Sequence, residues 1–183
     1  MVTVFLAEGF EEIEAVTPID ILRRGGVEVR TCSITDSKVV VGAHGIPFTA
    51  DTMLSELDCG EDVILLPGGM PGTILLRGCE VLCDRIRTHY EKGGILAAIC
   101  AAPTVFGELG LLKNEKATCY PGMEDGLFCK EVSREKSVLS GKILTSRGAG
   151  TAGDFAFRLL ALLKGEETAE KLSRAMCYGE AEA

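Results

Sequence analysis

No stretch of the sequence approaches the roughly 18 consecutive apolar residues that a bilayer-crossing helix needs. The opening Met1-Val2-Thr3-Val4-Phe5-Leu6-Ala7 carries neither a basic segment nor a long apolar one of the signal-peptide kind. The expected address is the cytoplasm, with no membrane partner. Basic residues are in the minority: 19 Lys plus Arg stand against 27 Asp plus Glu, a net charge of −8, and they form no cluster. The electrostatic footprint of a nucleic-acid binder is missing, which sets nucleic acid aside as a main partner. Histidine is scarcer still. His44 and His89 both precede Cys100, and this excludes glutaminase-type triads, whose histidine lies downstream of the cysteine. Prolines number six, and there is no internal repeat, linker or low-complexity segment.

What is present fits one soluble domain spanning 1–183, since 183 residues is close to the length of about 150 typical of one domain. Apolar residues at 46% and charged residues at 25% lie far from the low-hydrophobicity regime of disorder. Eight cysteines (Cys32, Cys59, Cys79, Cys83, Cys100, Cys119, Cys129, Cys177) have irregular spacing, and several lie in apolar runs where a free thiol behaves as a small hydrophobe. They read as reduced thiols.

Glycines punctuate an alternation of short apolar runs and longer amphipathic ones, the mark of βα units. Val2 to Leu6 is a buried-strand pattern. Glu11 to Arg24 has helical character, with Ile13, Val16, Ile19 and Leu22 stepping by three and Gly25-Gly26 as a stop. Val27 to Ser33 reads as a strand, Val39 to Thr49 as an irregular hairpin, and Asp62 to Leu66 as a further strand. A helix is expected from about Glu80 to Lys92, a strand over Ile95 to Ile99, and a short helix marked by Ala102, Val105, Phe106 and Leu109. The stretch from Lys113 to Ser140 is irregular. Lys142 to Thr145 is a strand, followed by a helix with Ala152, Phe155, Ala156, Leu159 and Leu163 on its apolar face, and then by a last helix over Glu167 to Met176. The whole is an α/β three-layer domain with a mostly parallel sheet, in which ligands bind beyond the carboxyl ends of the strands.

Cys100 stands where a strand runs straight into a helix. A nucleophile there projects from the carboxyl edge of the sheet, and helix-opening N–H groups favour a thiolate. The bland alternative is a buried cysteine packing like alanine. Pro67-Gly68-Gly69 ends another strand, so the N–H groups of Gly69 and Ala101 could form an oxyanion hole, although Gly68-Gly69 reads equally well as a simple turn. Among the acidic residues after the first strand, Glu14 shares a helix side with Ile13 and Thr17. Facing inward, it would be desolvated, stay protonated and act as a general acid next to the thiolate. His89 falls on the polar side of its helix and His44 in a Gly-Ala-His-Gly loop; surface placement is the default for both. Cys79 and Cys83 are spaced i, i+4 without a second pair, so no metal site is expected. Gly148-Ala149-Gly150 is a weak dinucleotide-loop signal at the wrong end of the chain.

Four motifs in order, Glu11-Glu12-Ile13-Glu14-Ala15 with Pro18-Ile19-Asp20, Leu65-Leu66-Pro67-Gly68-Gly69, Ala97-Ala98-Ile99-Cys100-Ala101-Ala102-Pro103, and Leu144-Thr145-Ser146-Arg147-Gly148, resemble the ThiJ/PfpI superfamily. The nearest likeness is to its Parkinson-disease protein deglycase (glyoxalase III-like) subgroup, and it covers Val2 to about Met176. The resemblance implies a flavodoxin-like three-layer α/β/α sandwich, a homodimer, a reactive cysteine at Cys100, a protonated glutamate at Glu14, and backbone amides at Gly69 and Ala101. It also implies no cofactor and, as substrate, a small dicarbonyl or an early glycation adduct. Tyr120 departs from a histidine of the resembled subgroup, and His44 from an arginine that reaches the partner's site, so His44 could enter there instead. Gly148-Ala149-Gly150 replaces Gly-Pro-Gly. Ala101 occupies the place of the protease branch's histidine, which argues against peptidase activity. Gly68, Tyr120 and His44 are thereby candidate pocket residues.

Two functions remain open at this level. One is a cofactor-independent glyoxalase or deglycase. The other is a non-enzymatic oxidative-stress sensor or redox-regulated chaperone that uses oxidation of the same cysteine. The homodimer is further expected from apolar residues on more than one side of the first helix, Ile19, Ile21 and Leu22 among them.

Overall fold

The computed structural model describes residues 1–58 and 60–179; Cys59 lies outside the described residues. Strand β1 (Val2–Leu6) opens the chain and helix α1 (Glu12–Arg24) follows, ended by Gly25 as C-cap and by Gly26 at φ 72°. Next come β2 (Val29–Ser33), a hairpin of β3 (Val39–Val41) and β4 (Pro47–Thr49), the short β5 (Thr52–Met53), and β6 (Val63–Leu66). Helices α2 (Gly72–Gly78) and α3 (Glu80–Glu91) lead to β7 (Ile95–Ile99) and α4 (Pro103–Glu108). The remainder holds β8 (Lys116–Ala117), β9 (Glu131–Val132), β10 (Ser137–Ser140), β11 (Ile143–Ser146), α5 (Ala152–Lys164) and α6 (Glu166–Ala175).

Seven strands form the central sheet in the order β10-β11-β7-β6-β1-β2-β5, all parallel except β10. Helices cover both faces, which is why the inner strands read as unbroken apolar runs. Side chains alternate between two cores. Val4, Leu6, Leu65, Ala97 and Ile99 face α1 and α5, meeting Ala15, Ile19, Leu22, Phe155 and Leu159. Phe5, Ile64, Leu66, Leu96 and Ala98 face the other way, toward Leu76, Leu82, Ile86, Val105 and Phe106 of α2, α3 and α4. Among the described residues no helix is long and apolar enough to cross a membrane.

This is the expected flavodoxin-like sandwich. The chain leaves β1 toward β2 on one side and returns to β6 on the other, so the order reverses between β1 and β6. That reversal opens a crevice at the carboxyl ends of the strands, into which the turns after β1, β6 and β7 all run.

Several local expectations are corrected. On α1 the buried residues are Glu12, Glu14, Ala15, Pro18, Ile19, Ile21 and Leu22, whereas Ile13 and Val16 are exposed. The three-residue step thus mixes two faces. Ile19, Ile21 and Leu22 are covered within the chain and give no argument for a dimer. Helix α2 was hidden by its own glycines, Gly72 and Gly78, at its two ends. On α5, Leu160 is buried where Leu163 was expected, Leu163 being half-buried. His89 is not a free surface residue: its Nε2 lies 3.1 Å from the Ile95 carbonyl oxygen, and the ring fills the space beside Gly94.

Candidate active site

Strand β7 delivers Cys100 to the crevice and the backbone reverses there at φ 64°, a left-handed conformation that costs a non-glycine residue on the order of 1–3 kcal/mol. Two backbone bonds hold the strained elbow: Cys100 N–H donates to the Ser146 carbonyl at 3.0 Å, and Tyr120 N–H donates to the Cys100 carbonyl at 2.8 Å. The thiol is half-buried.

Helix α1 brings Glu14 to the same point. Its side chain faces inward and the residue is 1% exposed. Oε2 accepts the Gly68 N–H at 3.0 Å, and the carboxyl group also hydrogen-bonds to the Cys100 thiol and to the backbone of Ala149. Gly68 has room for no side chain, because a Cβ there would lie 2.6 Å from Cys100 Cβ and 2.7 Å from Glu14 Oε2. Gly69 takes φ 92°, and a Cβ on it would meet Glu11 N at 2.4 Å. The backbones of Gly69 and Ala101 hydrogen-bond to the Cys100 sulfur. Helix α1 and the turns after β6 and β7 thus bring Glu14, Gly69 and Ala101 to the Cys100 sulfur. Gly68→Ala should force Cys100 and Glu14 apart. A displacement near 1 Å is worth about a hundredfold in rate, so turnover of any substrate used by the pair should fall by about that factor, as read by steady-state kinetics against wild type.

The electrostatics correct one expectation. Burial pushes the Glu14 carboxyl up to about 7, opposed by its hydrogen bonds to Cys100 and to Gly68. Burial, and next the neighbouring Glu14 carboxylate, push the Cys100 thiol up to about 12, against the smaller pull of the Ala101 and Gly69 amides. The elbow alone therefore does not lower the thiol pKa, and α4, with six residues, contributes only a short dipole. Burial also raises Cys32 and Cys119 to about 12. What sets Cys100 apart is its partner. Two charges cannot share this buried contact, so thiol and carboxyl titrate as one unit carrying a single negative charge.

Tyr120 falls beside this pair and His44 against the first turn of α1. Tyr120 is half exposed, with its ring 3.3 Å from where a Cβ on Gly148 would be, and Glu14 Oε1 is 3.9 Å from the same point. It walls the crevice next to the carboxyl group. His44 Nδ1 lies 2.9 Å from Glu12 Oε2 and 3.5 Å from Glu11 Oε2 of its own chain. Sequence reading missed Ala149, whose backbone holds Glu14, and Ser146, whose carbonyl holds the elbow; main-chain roles leave no signature in residue type. A cavity of about 550 Å³, lined by His89, Lys92, Ile95 and Lys142 among others, opens at the amino ends of the strands, and its lining contains no cysteine. Chemistry rather than volume locates the site at Cys100.

Residues 1–162 match the model of the DJ-1/PfpI family. The chain is 43% identical over 171 residues to Protein DJ-1 homolog B of Arabidopsis thaliana, covering 92% of this chain and 39% of that relative. It thus spans well under half the length of this plant protein. It is 32% identical over 176 residues to the glutathione-independent glyoxalase DJR-1.2 of Caenorhabditis elegans, covering 94% of this chain and 93% of the relative. The solved structure of oxidized Toxoplasma gondii DJ-1 superposes with a TM-score of 0.94 at 38% identity, covering 98% of each chain.

Proposed function

The chain belongs to the DJ-1/PfpI family, and from that premise we propose that it is a cofactor-independent glyoxalase, or a deglycase of early glycation adducts, that works through Cys100 and Glu14. The observation that carries this reading is the direct contact between the Cys100 thiol and the buried Glu14 carboxyl. Proton transfer within the pair yields a thiolate beside a neutral acid. The thiolate adds to the aldehyde carbon of methylglyoxal, and the new oxyanion takes up a proton to give a hemithioacetal. In this reading the Gly69 and Ala101 amides hold the oxygen as charge leaves sulfur. Glu14, as carboxylate, removes the C1 proton and returns it at C2, converting the adduct into a lactoyl thioester. Water then releases lactate and regenerates the thiol. No reductant, oxidant or metal enters the balance. Purified protein with chelator and without glutathione should form lactate from methylglyoxal; no lactate above the protein-free rate would overturn the reading.

A redox-sensing role at the same residue is favoured by the same half-exposed sulfur. Cys119 adjoins the elbow through Tyr120, yet its side chain packs in the core on the opposite sheet face from the one Cys100 touches, so Cys119 does not face Cys100 as a resolving thiol. Mild peroxide should place two added oxygens on Cys100 before any other cysteine is modified, as read by peptide mass spectrometry. Oxidation of a different cysteine before Cys100 would remove this second role.

We further propose a homodimer, supported by a different apolar face from the one the sequence suggested. Ile13 and Val16 on α1 are exposed, as are Val39, Val41 and Ile46 of the adjoining hairpin, which is tied to the segment after β1 by Gly9 N–H to Val41 O at 2.8 Å and Ala43 N–H to Phe10 O at 2.8 Å. Such a cluster marks an interaction surface. Sedimentation at micromolar concentration should give a dimer for wild type and a monomer for Val16→Arg.

A further inference from the structure

Beside the Cys100 crevice, and unused by its chemistry, Glu11, Glu12 and His44 bring three ligand atoms together. We propose that these residues form a binding site for one divalent transition-metal ion of the zinc type. They come from two elements, the first turn of α1 and the turn between β3 and β4. His44 Nδ1 stands 2.9 Å from Glu12 Oε2 and 3.5 Å from Glu11 Oε2, and the three atoms all lie within 4.8 Å of one another. Donors bound tetrahedrally to zinc at about 2.0–2.1 Å are about 3.3 Å apart, so the two imidazole distances bracket the required edge.

The set is held in place before any ion arrives. Glu12 Oε1 accepts the His44 N–H at 2.8 Å and the Ile46 N–H at 3.4 Å, leaving Oε2 toward the imidazole. Gly42 makes the cradle possible, since a Cβ there would lie 2.3 Å from the Glu12 carboxyl. Glu11 is fixed through its N–H to the Gly68 carbonyl at 2.9 Å. The carboxylate side chains are 17% and 10% exposed and the imidazole 68%, so the carboxylates are largely enclosed and the imidazole side is open to water for a fourth ligand.

Charge and donor type select the ion. Two carboxylates facing one imidazole retain negative charge whether or not the ring is protonated, and a dication replacing the ring proton neutralises them. An imidazole nitrogen suits zinc and its neighbours rather than magnesium or calcium.

The test uses the full chain, stripped with chelator and titrated with Zn²⁺ against a competing indicator, together with crystals measured at the zinc absorption edge. Wild type should bind zinc, with an anomalous peak between His44 Nδ1 and the two carboxylates. His44→Arg keeps a cation against Glu11 and Glu12 and should melt like wild type without metal, yet lose affinity at this site by at least about tenfold. Equal affinity in His44→Arg, a peak only at cysteine sulfurs, or no zinc bound would each overturn the proposal. Lactate formation in chelator is read separately and does not depend on it.

Discussion

Cys100→Ser should abolish lactate formation from methylglyoxal while leaving the fold intact. The serine hydroxyl fits the same left-handed elbow, keeps the backbone bonds to Ser146 and Tyr120, and can still contact Glu14. It cannot give up its proton to a carboxyl group near neutrality, because an alcohol is a far weaker acid than a thiol. Without the anion there is no attack on the aldehyde carbon, and no later step has a substrate. Loss of the nucleophile in an enzyme of covalent mechanism costs at least about 10⁴-fold. A lactate assay on the two purified proteins, with circular dichroism as the check on folding, reads this directly. Turnover within tenfold of wild type would remove Cys100 from the reaction.

Glu14→Gln should lower turnover by at least about a hundredfold, the usual worth of a general acid-base group, while leaving the sulfur as reactive as before or more so. The two effects separate because Glu14 does two things. Its carboxylate, after burial, is the next largest influence pushing the Cys100 thiol up, and an amide removes that charge while offering an N–H to the sulfur. The amide cannot take a proton from C1 or return it to C2. Alkylation of Cys100 should therefore persist in a variant that forms almost no lactate. A variant that loses both would show that Glu14 serves only to generate the thiolate; one that keeps both would leave it no part in the chemistry.

The sheet and its site were legible in the sequence where local pattern and chemistry coincide. The apolar runs at Val2 to Leu6 and Ile95 to Ile99 are strands because both sheet faces are buried, and a cysteine directly after such a run can only sit at the carboxyl edge. Glu14 reads as an inward carboxylate from its place beside Ile13, yet Glu14 is buried and Ile13 exposed, so that neighbour does not account for its burial. The failures have physical reasons. Ile13 and Val16 looked like core because apolarity does not say what covers a helix face. Helix α2 was masked by glycines that read as turn. The thiol pKa was misjudged because helix-opening amides were visible in the sequence, whereas burial and the contact with Glu14 arise only on folding. His44 read as a solvated loop residue because its two carboxylate partners, Glu11 and Glu12, are more than thirty positions away in the chain.

The central claim, that one thiol of the eight carries the chemistry, is tested most directly by limiting alkylation. Wild-type protein is treated with less than one equivalent of iodoacetamide, each cysteine-containing peptide is quantified by mass spectrometry, and lactate-forming activity is measured on the same samples. The account predicts that Cys100 is labelled first and that residual activity falls in direct proportion to the fraction of Cys100 alkylated. Activity that survives complete alkylation of Cys100, or that is lost in step with a different cysteine, would contradict it.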